Sequence, residues 1–97
     1  MPEPTQRLAG RIARDFERRH VPDVVSCLEG LAETDYYRQD PERVQAALVL
    51  AAAGDYRRFV AMVALLRTDF RDALLAGGLG HGDWPERLDA ELAAPRE

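Results

Sequence analysis

Lysine and asparagine are missing from this chain of 97 residues, and isoleucine occurs once, as Ile12. All 13 cationic side chains are therefore arginines. Lysine, asparagine and isoleucine share AT-rich codons, so a high-GC bacterial genome accounts for the bias. Arginine at a given position is then no sign that a guanidinium fork was selected over an ammonium. A single cysteine, Cys27, excludes an internal disulfide, a cysteine-based zinc site and a redox pair. It reads as a small buried residue on a helix. The two histidines, His20 and His81, are far apart, and neither belongs to an HxxxH or ExxH pair, so no metal site is expected. The longest apolar run, "AALVLAAA" at Ala46–Ala53, has eight residues. A membrane-spanning helix needs roughly 20. The polar, proline-containing start has none of the character of a secretory signal. These shortages point to a cytoplasmic protein without cofactor or membrane contact.

What remains is a chain that is 46% hydrophobic, enough for one domain over residues 1–97 with a core of its own. Its apolar residues recur at helical spacing throughout, and no stretch alternates as a strand would. Segment one, about 5–20, carries the ladder Leu8, Ile12 and Phe16. Pro22 opens segment two, about 22–33, with Val24, Leu28 and Leu31 as its stripe. Asp40 and Pro41 supply a cap and first position for segment three, about 41–53, which ends at Gly54 and is apolar on every side, as a central helix would be. Asp55 caps segment four, about 56–76, where Phe59, Val63, Leu66, Phe70 and Ala73 form one stripe closed by Gly77 and Gly78. Asp83 with Glu86 forms a capping box for segment five, about 84–93, with Leu88 and Leu92 inward and Trp84 laid over its start. Residues 93–97 should fray. The expected fold is all-α, a bundle of four to five short-looped helices.

No motif points to catalysis. The loop "GGLGHGDW" (Gly77–Trp84) lacks the preceding strand and the register of a phosphate cradle, so its glycines read as a helix end and a connection. Ser26, Cys27 and Thr68 have no histidine nearby to activate them. Asp69 and Asp72 fall on the polar flank of segment four, where carboxylates are ordinarily solvated. The clusters Tyr36–Tyr37–Arg38 and Tyr56–Arg57–Arg58 have the composition of interfaces, and equally of a bundle's polar rim.

Two features suggest partners instead. Arg7, Arg11, Arg14 and Arg18 are spaced i, i+4, i+7, i+11, which on a continuous helix places them in one arc opposite the Leu8 ladder. Residues 1–20 carry a balance of +2 and the remainder −6, so the arginine arc is a solvated face or a docking face for an acidic protein surface, including a second copy of the chain. Nucleic acid is the alternative, weakened by a net charge of −4 and the lack of a helix-turn-helix pattern. On segment four, Ala61, Ala64 and Thr68 form a small-residue strip bordered by Leu65 and Leu75, which invites close approach of another helix, within the chain or across a two-fold axis.

The stretch "RVQAALVLAAAGDYRRFVAMVALLRTDFRDALL" (Arg43–Leu75), followed by "DWPERLDAEL" (Asp83–Leu92), resembles uncharacterised small helical proteins of high-GC bacteria. The resemblance implies a helical fold and a bacterial cytoplasmic setting, and carries over no activity and no site residues. The reading is a small non-enzymatic interaction or regulatory protein that self-associates. A nucleic-acid-associated regulator using the same arginines is the alternative. A small-ligand binder with a pocket near His81 and Trp84 comes third.

Overall fold

The computed structural model describes residues 1–93. Among them are six α-helices and two short 3-10 turns, with no strand. The helices are α1 (Gln6–Asp15), α2 (Val21–Glu29), α3 (Pro41–Ala52), α4 (Tyr56–Thr68), α5 (Phe70–Ala76) and α6 (Trp84–Leu92). The all-α expectation holds, while the count of four to five helices is corrected to six. The expected fraying of residues 94–97 lies outside the described residues.

The extra helix comes from a break inside segment four. Asp69 leaves helical geometry (φ −155°, ψ 101°), and its side chain accepts a hydrogen bond from the Arg71 N–H at 3.0 Å, capping α5. Asp69 N–H still donates to the Leu65 carbonyl at 2.7 Å, so α4 closes without an orphaned donor at its end. A short carboxylate can replace the helical partner it interrupts, so the turn costs few hydrogen bonds. It lets α5 change direction and lay Ala73 and Leu74 into the core.

Segment one is likewise shorter than its apolar ladder. Phe16 adopts extended geometry (φ −97°, ψ 151°) immediately after α1 and drops into the core, where its ring meets Phe59 edge-on at 5.9 Å. Arg18–His20 forms a separate 3-10 turn that feeds α2. Segment two ends at Gly30 rather than near 33, and Leu31 is buried from the connection beyond it.

α3 is the central helix, in contact with α1, α4, α5 and α6. Val44 to Val49 are buried without interruption. The one polar residue in that run, Gln45, is satisfied by donating from Nε2 to the Pro2 carbonyl at 2.9 Å. Two glycines let backbones meet: a Cβ on Gly77 would sit 2.5 Å from Ala47 Cα, and one on Gly54 (φ +83°) would collide with the Asp15 carbonyl oxygen. Asp83 makes no side-chain cap. Trp84 N–H donates instead to the His81 carbonyl at 3.1 Å, so the expected capping box does not form.

Candidate functional site

The four arginines do not share one helix face. Because α1 ends at Asp15, Arg18 sits in the 3-10 turn beyond it. The other three differ sharply in what they touch. Arg7 grips Glu42 at the start of α3 with two bonds, Nε to Oε2 at 2.9 Å and Nη2 to Oε1 at 2.6 Å, and reaches Asp89 on α6 through Nη1 at 2.8 Å. Thr5 caps α1 and donates its hydroxyl to the same Glu42 carboxylate at 2.5 Å. Arg11 bonds Asp15 at 2.8 Å, the Glu91 carbonyl at 2.5 Å, and lies 3.5 Å from the Glu91 carboxylate. Among the described residues, Arg14 has one carboxylate neighbour, Asp15, at 3.7 Å.

Electrostatics follow this geometry. Hydrogen bonds from Arg7, then from Thr5, hold the Glu42 carboxyl below its ordinary value against the opposing effect of partial burial. Bonds to Glu42 and Asp89 push Arg7 further up. Arg7 and Arg11 therefore tie α1 to α3 and α6, and an acidic partner or a nucleic acid would have to displace carboxylates already in place. Arg14 and Arg18 are the members of the set left facing outward.

The small-residue strip divides too. Ala61, Ala64 and Thr68 are exposed on the outer side of α4. Leu65 is half-buried and rests against the core. Leu75, 49% exposed, belongs to α5 and lies over Gly80. Sequence reasoning passed over Val60, which is 52% exposed. The spacing Val60, Ala64, Thr68 (i, i+4, i+8) was the available signal, since it continues the strip by one turn. The Thr68 hydroxyl donates back to the Ala64 carbonyl at 3.0 Å, so it spends its donor within α4 and leaves a smooth face.

Several of the residues with potential reactivity are engaged structurally. Burial pushes the Cys27 thiol up, only partly opposed by the charge of Arg67, the reverse of what activates a nucleophilic cysteine. His20 stacks on Tyr56, ring centroids 4.5 Å apart and nearly parallel. Asp69 is a helix cap, while Asp72, Ser26 and His81 are exposed. Among the described residues no group of three His, Cys, Asp or Glu is placed to hold a metal, and no helix is long and apolar enough to cross a membrane.

Comparison with protein families, curated proteins and solved structures finds no match to this chain.

Proposed function

We propose that this chain is a non-enzymatic interaction protein that works as a homodimer in the bacterial cytoplasm, its two copies joined along the outer face of α4. The observation that carries the reading is the exposed strip Val60–Ala61–Ala64–Thr68 on a 13-residue helix whose other side is fully packed. Alanines at a helix crossing let the axes approach closely, and Val60 supplies apolar area at the edge of the contact. A two-fold axis near Ala61 and Ala64 runs the helices antiparallel. That arrangement brings exposed Arg57 at the start of α4 toward exposed Asp69 at the end of α4 in the second copy, and the reverse.

The test is the mass in solution by light scattering, with Ala64→Glu as the variant. Ala64 is exposed, so the substitution leaves the monomer's core untouched. The native chain should run at twice its own mass and Ala64→Glu at the single mass with unchanged helical circular dichroism. A monomeric native chain, or an Ala64→Glu variant that still dimerises, overturns the reading.

A further inference from the structure

The connection leading into α3 folds back over α5. Gln39 N–H donates to the Tyr36 carbonyl at 3.1 Å, and the two residues between them, Tyr37 (φ 47°) and Arg38 (φ 64°), both occupy the left-handed region. Glycine or asparagine ordinarily fills such a turn. Here the turn holds the Tyr37 ring 67% exposed, 5.4 Å from the ring of Phe70. Strain of this kind gathers where a surface is shaped for a ligand.

Beside the Phe70 ring is an open cleft of about 390 Å³, within the usual range for small-molecule sites. One wall is apolar: Phe70, Leu74 and Leu75 of α5. Gly80 also lines it, and a Cβ there would lie 2.5 Å from Leu75 Cδ2, the tip of a side chain that is itself 49% exposed. Two arginines complete the lining, Arg43 from α3 and Arg71 from α5 itself.

Those two cations are placed differently from Arg7 and Arg11 of α1. Arg7 and Arg11 each meet two carboxylates. Among the described residues, neither Arg43 nor Arg71 has a carboxylate at ion-pair distance. Arg43 is held by neutral groups: Nε donates to the Leu79 carbonyl at 2.9 Å, Nη1 to Gln39 Oε1 at 3.0 Å, and its guanidinium lies 4.8 Å from the Trp84 ring centre. Arg71 lies 5.8 Å from the Phe70 ring centre. Asp40 accepts the Arg43 backbone N–H at 3.1 Å as the cap of α3, and Asp72, which follows Arg71 in the chain, is exposed. Burial pushes Arg43 down, only partly offset by the charge of Asp40. A partly desolvated guanidinium with no carboxylate at ion-pair distance is costly, which singles out Arg43, since Arg71 is exposed.

We propose that this cleft binds a small organic carboxylate with an apolar body, its head at Arg43 and Arg71 and its body along Phe70, Leu74 and Leu75. Arg43 Nη2 carries no hydrogen bond to the described residues and is free to donate to the head. The aromatic and leucine side chains take the body out of water. The site is independent of the α4 pairing and stands or falls separately.

Octanoate is the probe, titrated calorimetrically into the full chain and followed in parallel by the fluorescence of Trp84, the chain's one tryptophan, which underlies Arg43. Saturable binding of one octanoate per chain is expected, with octan-1-ol and octylamine weaker by about tenfold or more. Arg71→Gln, at an exposed position, should weaken octanoate by about tenfold while leaving the melting temperature and octanol binding unchanged. Amide chemical shifts of the native chain provide a readout that needs no variant: Gly80, Arg71 and Gln39 should move on octanoate addition. Absence of saturation at millimolar octanoate, equal binding of octanol, undiminished binding by Arg71→Gln, or shifts confined to residues away from the cleft would each overturn the proposal.

Discussion

Replacing Arg7 with methionine keeps the aliphatic stem of the side chain and removes the group that ties α1 to α3 and α6. Its guanidinium makes a two-bond grip on Glu42, whose side chain is 17% exposed, and a single bond to Asp89, which is 71% exposed. Exposed ion pairs contribute about 0.2–1 kcal/mol, so the Asp89 bond counts for little. Hydrogen bonds to charged groups contribute about 1.5–3 kcal/mol when sheltered. With the Arg7 side chain itself 39% exposed, that range must be discounted for solvent. A total loss of about 1.5 kcal/mol results, which for a domain of this size lowers the melting temperature by roughly 6–12 °C. Arg14→Met removes a charge of the same sign from the same helix, but from a side chain whose one carboxylate neighbour among the described residues is 3.7 Å away. It should change stability by less than about 0.5 kcal/mol.

Acid adds a second axis to the experiment. Glu42 is held below its unfolded value of 4.5, so its contribution is complete above that pH and is lost as pH falls through the lower, folded value. Thermal melts of the native chain and of Arg7→Met should differ by a constant amount near neutrality and converge in acid below 4.5. Equal melting temperatures for Arg7→Met and Arg14→Met would refute the assignment of Arg7 to the fold rather than to a partner. A gap that widens in acid would refute the role of Glu42.

Glycine-to-alanine changes should have opposite signs at two sites, read as midpoints of urea unfolding. Gly10→Ala, with nothing within 4 Å of the new methyl group and a position inside α1, should gain about 0.8 kcal/mol of helix propensity. Gly77→Ala drives a Cβ against the Ala47 backbone, which cannot yield as a flexible side chain would, and should cost about 1–3 kcal/mol or more. Arg38→Gly relieves a left-handed residue that costs about 1–2 kcal/mol, less the extra freedom glycine gains when unfolded. A net stabilisation of about 0.5–1 kcal/mol is expected by calorimetry.

Helical periodicity alone was enough to specify an all-α chain, the inward ladders Leu8–Ile12–Phe16 and Val24–Leu28, and the burial of α3 on all sides. These follow from the 3.6-residue repeat, which is a local property of the chain. Periodicity could not show where helices stop. The stripe Phe59–Val63–Leu66–Phe70–Ala73 keeps its phase across the break at Asp69, and only the Thr68–Asp69 pair of short polar side chains hinted at a cap. The ladder through Phe16 likewise concealed that this residue leaves α1 to reach Phe59. Nor did spacing say what the arginines touch. Arg7 meets Glu42 and Asp89 from 35 and 82 residues away, while Arg43 and Arg71 share one cleft without a carboxylate. Charge pairing, desolvation and the close approach of Gly77 to Ala47 depend on distances between segments remote in sequence. Such distances exist only once the helices are packed, so tertiary structure alone decided which arginines are spent on ion pairs inside the fold and which are left outside them.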